Sequence, residues 1–164
     1  MTAIDPDFAR RVSAALATGP EALMAELSAF CTALPGITAA TYLAVAPDNS
    51  VLHRIGTSDP ENLPVGGFDP VDDGAWCRRI LGEKRAIIGD TPDAMRPFIP
   101  ETDDLVAMGY GATMCVPLVI AGEVKGTINL LGDTGALTDE VLAHVDSILP
   151  IAALIFTFRG ISDR

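Results

Sequence analysis

Apolar positions recur at helical spacing at both ends of the chain and alternate along strands between them. Phe8, Val12, Ala15 and Leu16 fall on one face of a helix predicted over 5–18, with Asp5 as its cap and Pro6 in its first turn. Gly19-Pro20 breaks it. A second helix over 21–34 carries Leu23, Leu27, Phe30, Cys31 and Leu34 on one side and ends at Pro35-Gly36. Small and β-branched residues over 38–46 predict a strand. Residues 51–57 predict its antiparallel partner across a turn at 47–50. Residues 62–69 read as loop. Residues 72–82 predict a helix capped by Asp72 or Asp73, 85–89 a short buried strand, and 90–109 an irregular stretch with helical turns at 93–98 and 101–108. Two apolar runs then flank a tight turn at 121–123, which predicts a β-hairpin. Thr138 caps a last helix predicted over 139–158, with Asp139 and Glu140 at its positive end.

Helices at both ends around hairpin-linked strands imply an α+β fold. The expected division is terminal helices over 1–34, sheet and pocket roof over 38–133, and a closing helix over 138–159, all in one domain of 1–164. Strand alternation fixes the faces of the hairpin. Thr113, Cys115 and Pro117 share one face with Thr127 and Asn129, while Met114, Val116, Ile128 and Leu130 share the other. The first face is expected to look into a pocket and the second to pack on the terminal helices.

Charge narrows the partners. A formal net charge of -11, with Lys84 and Lys125 as the only lysines, excludes the electrostatic footprint of a nucleic-acid binder. Acidic residues cluster over 48–73 and 90–104, which reads as a solvated surface, and no calcium-loop spacing is present. Cys31, Cys77 and Cys115 are far apart, with no Cys-x-x-Cys pair, so a reducing compartment is expected. The first eleven residues lack the apolar core of a secretory leader, and the apolar run 148–158 is too short to span a bilayer. A cytoplasmic location and no membrane partner are expected.

Candidate chemistry is sparse. Trp76, the only tryptophan, and Ile80 face one way on the predicted helix over 72–82, either as core anchors or as an aromatic wall. Arg78, Arg79, Lys84 and Arg85 cluster in an otherwise acidic chain, either to balance a helix end or to clamp an anion. His53 and His144 have no partner at metal-ligand spacing and read as surface or boundary residues. Tyr42 and Tyr110 offer hydroxyls to a pocket or simply pack.

Taken in order, residues 20–158 resemble the GAF domain family. The carriers are the hairpin led by Tyr42, the run from Gly74 through Trp76 to the strand ending Ile-Ile-Gly-Asp90, the Val116-Pro117-Leu118 step, the Gly122 to Leu131 strand, and the helix opened by Thr138. The resemblance implies a GAF-like, profilin- or PAS-like antiparallel sheet of five or six strands, with N- and C-terminal helices on one face. It also implies a ligand pocket on the other face, roofed by mid-chain helices and loops. An enzymatic branch, free methionine-(R)-sulfoxide reductase, places acidic residues where this chain has Thr113 and Asn129 and cysteines in a roof segment that here has none, so that activity is not expected. Cys77 precedes Arg78 rather than the histidine usual at bilin-attachment cysteines, and the Asn-Lys-x-Asp/Phe signature of cyclic-nucleotide binders is absent.

The resulting expectation is a stand-alone, non-catalytic sensor or regulatory module for a small metabolite, anionic if the arginine cluster clamps it. The expected ligand-binding residues are Tyr42, Trp76, Cys77, Arg78, Thr113, Cys115, Thr127 and Asn129. No cofactor and no metal is expected beyond that unidentified ligand. The alternatives are a cysteine-dependent enzyme of unknown reaction and a structural dimerisation module. A homodimer through the terminal helices and a separate signalling protein are the expected protein partners, since the last helix looks apolar over more than one face.

Overall fold

The computed structural model describes residues 4–161. Two helices open it, α1 (Pro6–Thr18) and α2 (Pro20–Thr32). Asp5 caps α1 by accepting from the Asp7 amide at 3.1 Å. Six strands follow, β1 (Ile37–Val45), β2 (Val51–Thr57), β3 (Gly66–Pro70), β4 (Ile87–Gly89), β5 (Ala112–Ile120) and β6 (Glu123–Gly132), all antiparallel in the order β3-β2-β1-β6-β5-β4. Between β3 and β5 lie α3 (Ala75–Cys77), running straight into a π-helical stretch over Arg78–Gly82, then α4 (Pro92–Met95) and α5 (Thr102–Ala107). The chain closes with α6 (Asp139–Ala153) and a 3-10 turn over Leu154–Thr157. The β5–β6 reversal is tight because Ala121 (φ 51°) and Gly122 (φ 81°) both take left-handed backbone, as a two-residue hairpin loop of matching twist requires.

The main core fills the space between the sheet and α1, α2 and α6. Tyr42 and Ala40 of β1, Ile128 and Leu130 of β6, and Met114 and Val116 of β5 meet Leu23 and Leu27 of α2 and Val145 and Ile148 of α6. The apolar face of the hairpin therefore packs on the terminal helices as expected. The opposite face of the sheet is covered by α3, the π-helical stretch, α4 and α5. They pack as two smaller clusters, one around Cys77, Ile80, Ile87 and Cys115 and the other around Ala39, Leu63, Tyr110 and Leu131.

Several local expectations are corrected. Residues 66–70, read as loop, form β3, an edge strand exposed at every residue. The helix expected from residue 72 starts at Ala75, and its N-cap is Gly74. Asp72 instead accepts from the Gly74 amide at 2.8 Å, which shapes the turn before the helix. His53, expected at the surface or its boundary, is 2% exposed, with its ring 5.3 Å from that of Phe68 on β3. The last helix stops at Ala153 and tightens to a 3-10 turn.

Asp139–Thr157 is 19 residues long with mean hydropathy 1.6, so by length and composition alone this helical run could cross a membrane; it exceeds the apolar run read from the sequence. In this fold one face of it packs on the core, with Val141, Val145, Ile148, Ala152 and Ile155 buried against the sheet and helices. Its second apolar face is smaller than expected. Leu142, Leu149, Ile151 and Phe156 are half-buried on the same core, and only Leu154 is exposed.

Candidate functional site

On the roofed face, the central strands bring together a strip of polar side chains. The register sets Cys115 opposite Asn129, and Asn129 opposite Thr41; Thr127 follows two residues before Asn129 on β6. Thr41, Thr113, Thr127 and Asn129 are all buried. The strip falls between the two roof clusters, so apolar packing flanks it on either side.

Hydrogen bonding within the strip is incomplete. Asn129 Nδ2 donates to Thr41 Oγ1 at 3.2 Å, and Thr113 Oγ1 donates to the Leu130 carbonyl at 3.1 Å. Thr127 Oγ1 and Asn129 Oδ1 are buried with no hydrogen-bond partner among the described residues. Buried polar atoms of this kind cost on the order of 1–3 kcal/mol each when unpaired, so proteins seldom keep them without use. Both sit on the same strand and the same face.

The expected site residues divide into two groups. Thr113, Cys115, Thr127, Asn129, Trp76 and Cys77 converge between sheet and roof, with Trp76 packed on the cluster that holds Cys77 and Cys115. Tyr42 and Arg78 do not join them. Tyr42 lies on the helix face, shares a 3.0 Å hydrogen bond with Ser28 and donates to the Met24 carbonyl at 3.1 Å. Its opposite placement follows from its pairing with Ile128 rather than with Thr127. Arg78 is exposed and donates to the Asp73 carbonyl. The other basic residues are also spent locally. Arg79 bonds the Ala86 carbonyl and Glu83, Arg85 lies near Glu83, and Lys84 reaches the Gly122 carbonyl at 2.5 Å. No cation of that cluster reaches the strip, and the strip itself is uncharged.

Thr41 was missed by sequence reasoning, although its parity with Leu43 and Ala39 was readable; its pairing with Asn129 across 88 residues was not. Asp90, which ends the resembling strand motif, has a structural post. Its carboxylate accepts from the Leu137 amide at 2.9 Å and fastens the approach to α6. Among the described residues, no three His, Cys, Asp or Glu side chains gather to hold a metal ion.

The three thiols are free and buried. Burial pushes Cys31 up to about 12 and Cys115 up to about 11; hydrogen bonds from Trp76 and Thr113 offset part of the latter shift. Burial also raises Cys77, with the Asp72 carboxylate adding to the shift. At pH 7.5 an ordinary thiol is a few per cent thiolate, and raising the pKa by two units cuts that by about 100-fold. Ellman's reagent should therefore modify Cys31 and Cys115 at least about 100-fold more slowly in the native protein than in the urea-unfolded chain, and Cys77 more slowly as well. One thiol that reacts as fast in the native protein would reinstate a cysteine-dependent enzyme. The pH dependence has the matching sign. Thiols whose native pKa is raised stabilise the fold fully below the ordinary thiol value near 9, and that contribution is lost as pH climbs from 9 toward 12.

A cavity also lies away from the strip. A cleft of about 670 Å³ opens on the helix side at the edge of the sheet, between α2 and the β2 segment that runs past the end of β3. Met24, Ala25, Ile55, Gly56 and Val65 line it, with Arg54 among its polar residues.

Comparison with known proteins gives a consistent picture. A family model described as GAF domain matches residues 17–157. The GAF domain of a phosphoenolpyruvate-protein phosphotransferase from Coxiella burnetii is 16% identical, with a TM-score of 0.72 over 92% of this chain and 89% of that one. The phycoerythrobilin-bound GAF domain of a cyanobacterial phytochrome is 16% identical, with a TM-score of 0.70 over 96% and 97% of the two chains. The GAF domain of a sensor histidine kinase from Bacillus halodurans is 12% identical, with a TM-score of 0.66 over 82% and 91%. These likenesses are of fold. No curated protein matches by sequence.

Proposed function

Because the chain belongs to the GAF domain family, a family of sensor and regulatory modules, we propose that it is a non-catalytic cytoplasmic sensor whose small-molecule site lies between the polar strip and the roof. The observation that carries this reading is the pair of buried, unpartnered atoms Thr127 Oγ1 and Asn129 Oδ1 beneath α3–α5. A ligand with N–H or O–H groups would satisfy both, and Trp76 and Cys115 would border it. The absence of a charged group in the strip favours a neutral contact there over the anionic one expected from the arginine cluster. The phycoerythrobilin-bound relative supports the same general use of the fold.

The roof is built to respond. It consists of short helices and a π-helical stretch, and such stretches recur at functional sites. Ligand binding would shift the roof between arrangements, and a separate signalling protein would read the change.

The test is a thermal-shift screen with amino acids, nucleosides and 2-oxo acids. A ligand at about 100 times its Kd adds about 2.7 kcal/mol, which raises Tm by about 5–10 °C in a domain of this size. The Thr127→Val/Asn129→Leu double variant should fold and lose that shift. If no compound shifts the wild-type Tm and the double variant is simply more stable, the strip is core and the reading fails.

A further inference from the structure

The outer edge of β3 is open and its chemistry is definite. All of its residues are exposed, and a Cβ added at Gly66 or Gly67 would meet nothing within 4 Å, so the strand stands clear of the rest of the described chain there. The Val71 amide donates to the Ser50 carbonyl at 2.9 Å, and Phe68 pairs with His53 in the same register. By the alternation of an antiparallel ladder, Asp69 turns its backbone groups toward β2, while Phe68 and Pro70 turn theirs outward. Phe68 thus offers an amide and a carbonyl to an incoming strand. Pro70 offers a carbonyl, and its missing N–H falls on the unpaired side, where proline is tolerated.

The two faces of this edge differ. Phe68 pairs with His53, His53 with Ala44, and Ala44 with Gly126, against which Phe156 packs, so Phe68 points to the helix side. It is 64% exposed there, and Val65, just before the strand, is 56% exposed. Val65 and Gly66 also line the α2–β2 cleft, so a strand added to β3 would run past an apolar mouth bordered by Met24, Ala25 and Ile55. Asp69 pairs with Leu52, a member of the Cys77–Cys115 cluster, and points to the roof side. The stretch 48–73, which carries β2 and β3, holds Asp48, Asp59, Glu61, Asp69, Asp72 and Asp73 against Arg54 as its only arginine or lysine. None of these carboxylates forms a salt bridge among the described residues. Arg54 is half-buried and donates to the Pro64 carbonyl at 3.1 Å. Exposed edges commonly carry lysine, which keeps other strands away; this one carries acid. A second copy would bring the same carboxylates and the same net charge of -11, so repulsion opposes it, whereas a cationic chain is attracted.

We propose that β3 is a docking edge for an extended basic segment of a partner protein, added as an antiparallel strand outside β3. Its apolar side chains lie beside Phe68 and the cleft mouth, and its basic side chains lie beside Asp69. Its residues opposite Phe68 and Pro70 make the backbone bonds, because those are the positions whose groups face outward. The surface is separate from the roofed strip, so each stands or falls alone.

The test titrates the full chain with the capped peptide acetyl-Lys-Val-Arg-Val-Lys-amide, followed by amide chemical-shift mapping. Binding should saturate, with shifts centred on Val65 to Val71, and should weaken at least about fivefold at high salt. The same peptide with glutamate at each basic position should bind at least about tenfold more weakly. N-methylation at both valines, whose amides face β3, should abolish binding, whereas N-methylation at the arginine, whose amide faces away, should leave it within about twofold. Glu61→Lys/Asp73→Lys, at two exposed positions, should weaken binding at least about fivefold. Thr127→Val/Asn129→Leu should leave it unchanged. Absence of saturable binding, equal binding of the acidic peptide, the same response to N-methylation at arginine as at valine, indifference to Glu61→Lys/Asp73→Lys, loss in the Thr127→Val/Asn129→Leu variant, or shifts centred away from β3 would each overturn the proposal. Self-association of the chain through β3 would also overturn it, by giving the edge to a second copy.

Discussion

Gly126→Ala is expected to destabilise the protein by about 3 kcal/mol, lowering Tm by about 6–12 °C. Gly126 sits in β6 between Ala44 of β1 and Leu118 of β5. A Cβ there would lie 2.2 Å from the Leu43 carbonyl oxygen and 2.2 Å from Phe156 Cζ. The phenyl ring can swing away, but the carbonyl belongs to the neighbouring strand and is held in the ladder. Relief therefore means displacing β1 or giving up the seat of the 3-10 turn on the sheet. Thermal and urea denaturation read the loss directly, since the strain falls on the folded state and the slope with urea should not change. A wild-type Tm for this variant would show that Phe156 and β1 do not approach Gly126 as described.

Leu130→Ala should cost about 4 kcal/mol, toward the upper part of the usual range for a buried leucine. The size depends on whether the surroundings can close over the gap. Leu130 is fully buried at the centre of the sheet, paired with Ala40 on one side and Met114 on the other. Ala40 is too small to reach into the space. The helices above are held by their own packing, α2 through Leu23 and Leu27 and α6 through Val145 and Ile148. Only Met114 is flexible enough to fill part of the gap. Urea unfolding at equilibrium measures the difference, and a loss below about 1 kcal/mol would mean that this part of the core is not tightly packed.

What could be read in advance follows from the range of each interaction. The terminal helices and the β5–β6 hairpin are specified locally, by caps, apolar spacing and a two-residue turn, and each forms where expected, although α6 gives way to a 3-10 turn after Ala153. The faces of β5 and β6 follow from alternation alone. β3 carries no such signal. Gly66, Gly67, Phe68, Asp69 and Pro70 bury nothing and join the sheet only because β2 offers them an edge. The burial of His53 depends on the same event, because Phe68 of that unforeseen strand lies beside it. Tyr42 was misplaced for a related reason: its face is set by pairing with Ile128, a partner from the far end of the chain. The polar strip was half legible, its β5 and β6 members from the hairpin and Thr41 only from the assembled sheet. The α2–β2 cleft left no mark on the sequence, because it arises where one strand outruns its neighbour.

The order β3-β2-β1-β6-β5-β4 also governs how the chain reaches this state. Its central seam joins β1 to β6, so that Thr41 meets Asn129 across 88 residues. Closing so long a loop comes before any reward from the seam, which places the protein among slow folders rather than fast ones. During synthesis, β1 leaves the ribosome with its inner edge bare and must wait until β6 has been made. A fragment ending before residue 123 would carry that open edge permanently, and self-association, rather than a stable half-domain, is its natural outcome.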